Sequence, residues 1–370
     1  MPRRSNAEND DMIDFRLQKF ALAALAAAAL FGISTPFAKV LLGDLPALGL
    51  AGLLYLGSGS GLLLIRLLRR TARRTPAHSE APLTLRELPW LAGAVAVGGI
   101  VAPVLLLWGL RGTGAAAASL LLNLEGVLTT LIAALLFREA VTRRIWSATL
   151  VMAVAGALLA WQPGAGGWSL QSLAIAGACL CWGLDNNLTR KVSASDPSAI
   201  AMIKGLVAGT FNTALAVALG MPLPAAGTLA AALLLGFLSY GVSLVLFIYA
   251  LRHLGSARAT AHFSTAPFIG AAAAVVALGE PLTALFAAAL LLMAVATWLV
   301  LSEQHGHPHH HEALAHSHRH VHDAHHQHAH GADGSARDST AGEAHVHWHE
   351  HAPLTHTHSH LPDLHHRHPH

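Results

Sequence analysis

The sequence predicts an all-α membrane protein whose ten transmembrane helices form two inverted five-helix repeats, followed by a disordered histidine-rich tail. Three observations predict this fold: a scarcity of charge, a series of long apolar runs, and an internal repeat. Only 12% of the 370 residues are charged, whereas soluble proteins carry about 25%. Because so few charges cannot cover a water-exposed surface, a soluble enzyme is excluded. A single anchor with a soluble domain is also excluded, because apolar runs fill the whole middle of the chain.

The apolar runs have the length of membrane spans. A helix needs about 20 mostly apolar residues to cross a bilayer. The first run follows a nineteen-residue charged segment and is longer than the apolar core of a signal peptide. We therefore expect it to remain as a span. The predicted spans are 20–42, 46–68, 88–110, 113–137, 143–161, 169–191, 197–219, 226–250, 256–279 and 282–301.

The basic residues predict the orientation of these spans. Seventeen Lys and Arg residues fall on the side of the N terminus, and only Lys39 and Arg111 fall on the opposite side. Cytoplasmic segments carry such an excess of basic residues. We expect a multi-pass protein of a bacterial plasma (inner) membrane with both termini in the cytoplasm. The bias also supports a count of ten spans, because omitting one span would move the basic residues of all later segments to the opposite side of the membrane.

The second half of the chain repeats the first. Residues 110–160 align without a gap on 251–301, with Glu139 matching Glu280 and Met-Ala-Val-Ala present in both. The first two spans match more weakly, with Gly32 on Gly183. Since five spans is an odd number, the second repeat enters from the opposite side of the membrane, as in many secondary transporters. The predicted divisions are an N-terminal cytoplasmic segment, two repeats and a cytoplasmic tail, at 1–19, 20–161, 169–301 and 302–370.

Two stretches carry a family resemblance. They read T-G-A-A-A-A-S-L-L-L-N-L-E-G-V-L-T-T-L-I-A-A-L-L-F-R-E and G-S-A-R-A-T-A-H-F-S-T-A-P-F-I-G-A-A-A-A-V-V-A-L-G-E. Both resemble the EamA-type module of the drug/metabolite transporter superfamily. The first copy departs from the pattern, with Gly126 in place of Pro and Arg138 in place of Gly. The resemblance implies ten helices and alternating access. It leaves the substrate open, because members move amino acids, nucleotide sugars, vitamins and other metabolites.

A carboxyl group lies in the middle of the fourth predicted span. Glu125 and, two residues earlier, Asn123 interrupt an otherwise apolar run. A charge at the bilayer centre costs about 2.5–3.5 kcal/mol on insertion scales. Such a residue suits proton or cation coupling in a transport cavity. The alternative is a structural hydrogen bond from a protonated or paired Glu125.

Further polar residues lie in the sixth, seventh and ninth spans. Asp185 and Asn186 predict a segment that lines a substrate path, with hydrogen bonding between helices as the alternative. His262 fits a functional role or a core histidine bonded to a carbonyl equally well. For Lys204 we expect a side chain that reaches the inner membrane surface, rather than an ion pair with Asp185 or Glu125.

Three prolines predict helix breaks within the spans. Pro36 follows Ser34 and Thr35 in the first span, and Pro103 and Pro267 lie in the third and ninth. Proline removes a backbone hydrogen bond and kinks the helix. Broken helices often face the ligand in transporters. We therefore include Ser34 and Thr35 among the residues expected to line the transport cavity.

The tail is dominated by histidine. Of 27 histidines, 24 follow residue 304, in a segment without the apolar periodicity of a folded core. Imidazole suits zinc, nickel, cobalt and copper. We expect the tail to bind these metals at many weak sites, and alternatives are a pH-responsive polycation or a repeat expansion without function. The expected ligands include His307, His309, His310, His311, His316, His318, His320, His322, His325, His326, His345, His347, His349, His356, His358 and His360.

Three functions fit these features. The first is a secondary transporter, expected to be an exporter, of a small organic metabolite such as an amino acid or a drug-like compound. The second is a transporter of a transition metal or metal chelate that the tail feeds or senses, and the third is a non-transporting metal sensor or buffer. An enzyme is not expected, because no nucleophile–base pair or phosphate-binding loop is visible. The expected partners are the lipid bilayer, a small-molecule substrate and a coupling proton or cation. No required cofactor is expected. No nucleic-acid partner is expected either, because the basic residues lie between apolar runs. The oligomeric state stays open.

Overall fold

The structure is a computed structural model, and it describes most of the membrane region and four segments of the tail. The described residues are 4–72, 85, 87–136, 142–162, 167–189, 192, 197–254, 256–302, 306–311, 314–320, 345–351 and 354–359.

Helices form nearly all of the membrane region, as its continuous apolar runs predict. Two π-helical segments continue directly into neighbouring α-helices: the first is Val95–Val101, with seven residues, and the second is Phe237–Val242, with six. The α-helices are α1 (Arg4–Gly32), α2 (Ser34–Leu41), α3 (Ala47–Ala72), α4 (Leu88–Ala94), α5 (Ala102–Gly112), α6 (Ala115–Leu121), α7 (Leu124–Leu136), α8 (Arg143–Ala160), α9 (Leu170–Thr189), α10 (Pro197–Ala218), α11 (Ala226–Gly236), α12 (Ser243–Leu254), α13 (Ser256–Phe263), α14 (Ala266–Leu278) and α15 (Ala284–Leu301).

Nine stretches of helix in the described part of the chain are long and apolar enough to cross a membrane. Each agrees with a predicted span to within two residues at both ends, and the chain is therefore a multi-pass membrane protein. The nine are Gln18–Leu41, Ala47–Leu68, Leu88–Gly112, Ala115–Leu136, Arg143–Ala160, Ser198–Ala218, Ala226–Ala250, Arg258–Leu278 and Ala284–Leu301.

The sixth predicted span is the exception. It forms the 20-residue helix α9, which is about 30 Å long at 1.5 Å per residue, but it is not among the nine apolar stretches. The consecutive polar residues Asp185, Asn186 and Asn187 near its end lower its hydropathy. The predicted count of ten spans is therefore not confirmed.

Close contacts between helices follow the internal repeat. The backbone of Gly32 touches Ala266 and Gly270 so closely that a Cβ could not fit. Gly183 packs in the same way on the backbone of Thr129. Gly183 is the repeat mate of Gly32, and Thr129 is the mate of Gly270. The two π-helical segments also occupy matching places in the two repeats, immediately before α5 and α12.

The central contact between the two repeats is made by small residues on α3 and α10. Gly205 and Gly209 lie directly against the backbone of α3, and Gly59 lies against Leu206. Small residues let membrane helices approach closely, which maximises van der Waals contact where no hydrophobic driving force operates. Buried residues of α10, such as Ala208, pack in a small cluster with Tyr55 of α3, whereas the main core cluster includes the fully buried Leu50 and Leu107.

Two charged residues hold the turn between α5 and α6. The Glu280 carboxylate accepts hydrogen bonds from the backbone N–H groups of Ala115 and Ala116, the latter at 2.8 Å. The Lys39 ammonium group donates to backbone carbonyls at the end of α5, including that of Thr113 at 2.9 Å. The opposite charges therefore satisfy the free backbone groups at a helix N-terminus and a helix C-terminus.

The tail differs from the prediction of disorder, which is not confirmed. Its described segments form strands, because histidine alternates with other residues, including Val and Thr, at the period of two that a strand requires. After the short pair β1 (Trp161–Gln162) and β2 (Gly167–Trp168), the tail strands are β3 (Gly306–His311), β4 (Leu314–His320), β5 (His345–His351) and β6 (Leu354–Ser359). β3 pairs antiparallel with β6, and β4 pairs antiparallel with β5.

Candidate functional site

Glu125 lies at a break in the fourth span. The helix is interrupted after Leu121 and resumes as α7 at Leu124, so Glu125 occupies the first turn of α7. Its Oε1 accepts a hydrogen bond from Asn186 Nδ2 at 2.9 Å, and the same amide group donates to Thr129 Oγ1 at 3.2 Å. Glu125 is half-buried and Asn186 is exposed. The carboxylate therefore lies at an open face of α7 and α9.

Asp185 pairs with Lys204 beside this group. Both carboxylate oxygens lie 2.6 Å from the Lys204 ammonium nitrogen, and Thr189 Oγ1 donates to Asp185 Oδ1 at 3.0 Å. The Asp185 side chain is only 6% exposed and that of Lys204 is 17% exposed. The expectation that Lys204 reaches the membrane surface is therefore wrong. α10 and α9 both pack on the first π-helical segment, and from there the Lys204 ammonium group reaches the buried Asp185 carboxylate and compensates its charge.

A backbone carbonyl in the first π-helical segment joins two aromatic residues to the site. Gly98 O accepts hydrogen bonds from Tyr55 Oη at 2.9 Å and from Trp182 Nε1 at 3.0 Å. Gly98 also lies directly against the Asp185 carboxylate, where no Cβ would fit. π-Helical segments free backbone groups from regular pairing and frequently occur at functional sites.

Asn123 lies at the same helix break as Glu125. Its Nδ2 donates to Leu120 O at 3.1 Å and approaches Met293 Sδ at 3.8 Å. Cys179, on the neighbouring helix α9, points its thiol at Leu121 O at 3.6 Å. The break therefore contacts α9 and α15 and is supported from both repeats.

The remaining predicted cavity residues lie elsewhere. Ser34 and Thr35 are buried near the break at Ile33, and Ser34 Oγ donates to Phe31 O at 2.6 Å. His262 is half-buried in α13, next to the interruption before α14. Within the described part of the chain, no direct hydrogen bond or ion pair joins these residues to Glu125 or Asp185.

The three predicted helix breaks take different forms. Pro36 lies three residues after the break at Ile33, and Pro267 lies in the first turn of α14. Pro103 lies in the first turn of α5, directly after the first π-helical segment. Each proline therefore begins a new helical segment, where its missing N–H costs nothing.

The tail histidines fall into two groups. Strand positions hold His307, His309, His310, His311, His316, His318, His320, His345, His347, His349, His356 and His358. His322, His325, His326 and His360 lie outside the described residues. Among residues whose side chains the structure describes, no group of three or more His, Cys, Asp or Glu could hold a metal ion.

Sequence reasoning missed Tyr55, Trp182 and Gly98. Tyr55 is one of only three tyrosines in the chain, but an isolated tyrosine in an apolar run gives no sign of its partner. Trp182 did carry a signal, because it precedes Asn186 by four residues and so shares its helix face.

The comparisons with known proteins agree with this architecture. A solved crystal structure matches with a TM-score of 0.56 and 18% identity, covering 76% of this chain and 95% of that chain, which shows the shared fold. An uncharacterized transporter of Methanothermobacter thermautotrophicus strain Delta H is 28% identical over 276 residues, covering 70% of this chain and 79% of the relative.

The family match spans both repeats and stops before the histidine-rich tail. The pattern of the EamA-like transporter family matches residues 18–162 and again 170–302. These two matches correspond to the two halves whose close glycine contacts are related by the repeat. The chain is therefore a member of the EamA-like transporter family and a membrane transporter.

Proposed function

We propose that the protein is a secondary transporter that exports a small organic metabolite by alternating access. The observation that carries this proposal is the Glu125–Asn186 hydrogen bond at the break between α6 and α7. Transporters commonly bind their substrates near the bilayer midplane, where broken helices leave polar backbone groups available. Glu125 lies near the middle of the fourth span and is the natural coupling or binding group.

The proposed architecture includes α9 as a tenth crossing. The helix packs between α5 and α7 and presents Asn186 and Asp185 to the central site. A crossing there keeps five spans in each repeat and preserves the inverted arrangement. Its polar residues are tolerated because they face other helices or a cavity rather than lipid.

Export follows if Glu125 exchanges a proton for the substrate. A carboxylate that binds either one can couple proton entry to substrate exit, provided that both are not bound together. Full-length protein reconstituted into vesicles tests this mechanism directly. We expect an imposed proton gradient to drive release of a preloaded substrate, and a metabolite screen of a deletion strain to show which compound accumulates inside. No accumulation of any compound, together with no gradient-driven flux, would contradict the proposed function.

A second proposal concerns the tail, which we infer to be a metal-binding accessory. Antiparallel pairing places His316 opposite His349, His318 opposite His347, and His320 opposite His345. Directly opposed residues have Cβ atoms about 4.5–5.5 Å apart, and alternate residues share a face. We therefore propose that zinc or nickel, which imidazole groups bind well, is held between these paired strands.

The tail proposal has a matched control. Replacing four cross-strand histidines should remove more metal than replacing four histidines at the C terminus, because only the first set shares a strand register. Zinc and nickel bound to the full chain are measured by calorimetry. Equal loss from both sets would favour many independent weak sites. The paired set is His316, His318, His347 and His349, and the control set is His365, His366, His368 and His370.

A further inference from the structure

The central group of charges is not balanced. Among the described residues at this depth it contains two carboxyl groups, Glu125 and Asp185, and one cation, Lys204. Lys204 is bound at 2.6 Å to both oxygens of Asp185. The Glu125 carboxylate meets only the neutral amide of Asn186 among the described side chains. The site is therefore one negative charge in excess when Glu125 is ionised.

The unused hydrogen-bonding capacity of the site consists mainly of acceptors. The Asn186 side-chain amide already donates hydrogen bonds to Glu125 and to Thr129. The Asn123 amide is directed at Leu120 O and at Met293 Sδ, which leaves its side-chain oxygen for a partner. A carboxylate oxygen accepts more than one hydrogen bond. A ligand that fits must therefore supply donors and positive charge together.

The surroundings of the carboxylate favour an organic cation over a metal ion. Trp182 lies one helical turn before Asn186 on the same face of α9, and its indole nitrogen is bound to Gly98 O. Aromatic rings attract ammonium groups and pack on apolar bodies. A hard metal ion prefers six or more oxygen ligands, and no group of three metal-binding side chains occurs among those described.

We infer that the transported substrate is a small organic amine, bound as its ammonium ion by Glu125 with its apolar body against Trp182. This inference rests on the proposed transport function and names the substrate class of that same site. Carboxylate anions of the same size are rejected, because ionised Glu125 repels them and the site has few free donors.

The experiment uses two probes of similar shape and opposite charge. The full chain, purified and reconstituted, is given radiolabelled phenethylamine or phenylacetate near neutral pH, where the first is a cation and the second an anion. We expect the amine to bind at least about tenfold more tightly, as hydrogen bonds to charged groups imply. E125Q should lose about tenfold in amine affinity and should bind phenylacetate more tightly than the wild type does, because the repelling charge is gone. D44N, which neutralises an exposed carboxylate at one end of the bundle, serves as the matched control and should behave like the wild type.

The outcomes separate this inference from the proposed function. Binding of phenylacetate as tight as that of the amine by the wild type would overturn the inference, whether or not E125Q folds. So would an E125Q protein that elutes as a single species and retains full amine affinity. If gradient-driven flux of a neutral or anionic metabolite is found instead, the inference fails while the transport function stands. If no solute of any charge is moved, the transport function itself fails.

Discussion

At the level of single residues, the Asp185–Lys204 pair combines a buried carboxylate with its compensating cation. Both side chains are largely buried, at 6% and 17% exposed, so neither is well solvated alone. Removing one partner of a buried pair costs about 3–5 kcal/mol, whereas replacing both is often nearly neutral. Replacing one residue of this pair should therefore lower the free energy of unfolding much more than replacing both, which is not expected of a surface ion pair.

Replacing Lys204 alone should destabilise the protein markedly. K204M leaves the Asp185 carboxylate without its cation, and we expect a drop in thermal unfolding temperature in detergent, corresponding to about 3 kcal/mol. The double variant D185N/K204M should recover most of that loss. Equal unfolding temperatures for K204M and the wild type would show that the pair does not contribute to stability.

Glu125 should matter for transport more than for folding. E125Q keeps the size and the hydrogen bond to Asn186 but cannot bind and release a proton. We expect at least a tenfold loss of proton-driven flux, as removal of a positioned acid–base group implies, with unchanged expression and elution volume. Flux equal to the wild type over about pH 5–8 would leave Glu125 with a structural role only.

At the level of elements, the turn between α5 and α6 is fastened by groups from distant spans. Glu280 binds the N-terminus of α6, and Lys39 binds carbonyls at the end of α5. A carboxylate at a helix N-terminus contributes up to about 2 kcal/mol in a partly buried position. These contacts hold α2, α5, α6 and the segment before α15 together at one end of the bundle.

Weakening the contact of Glu280 with the N-terminus of α6 should open the end of the bundle that contains the turn between α5 and α6. E280Q removes the charge at the N-terminus of α6, and we expect several-fold faster labelling of a cysteine placed at Gly126, where a Cβ meets no atom within 4 Å. The background carries Cys179 and Cys181 replaced by alanine, and the reagent is a membrane-impermeant maleimide. Labelling at the rate of the parent protein would show that Glu280 does not control access. D44N again serves as the control for loss of a carboxylate at this end.

At the level of the whole molecule, the charge bias predicts the orientation. Seventeen basic residues lie on the side of the N terminus and two on the other side, and this bias predicts that both termini lie in the cytoplasm. Single cysteines introduced at 163–167 or 220–226 should react with an impermeant reagent in intact cells, and cysteines at 72–80 should not. Reaction at 72–80 would reverse or disrupt the proposed topology.

The tail should be separable from the membrane region. Ending the chain after Ser302 leaves α15 complete at Leu301, so we expect the truncated protein to insert and to keep its metabolite flux. Metal binding should be lost with the tail.

In the full chain, the amount of bound metal should decrease when the pH is lowered below about 6, because imidazole with a pKa near 6.5 is then protonated and cannot bind a metal. A truncated strain with altered cellular metal content would instead favour metal transport, and one that matches the wild type under metal excess and starvation would leave the tail as a passive buffer.

The spans and the internal repeat are predictable from the amino-acid sequence alone. The length of an apolar run and the Pro and Gly residues that flank it are local properties, and nine predicted spans agree with the described helices to within two residues. The offset between the repeats makes Gly32 and Gly183 equivalent positions. The sequence also indicates Glu125 and Asn186 as site residues, because a polar side chain in hydrocarbon is costly wherever it faces.

Which of these polar groups contact one another is visible only in the three-dimensional structure. It paired Lys204 with Asp185 and brought Tyr55 and Trp182 to the carbonyl of Gly98. It also left Glu125 without a cation among the described residues. The physical reason is that hydropathy reports the cost of each buried polar group, whereas its partner depends on how helices far apart in sequence rotate and pack against one another.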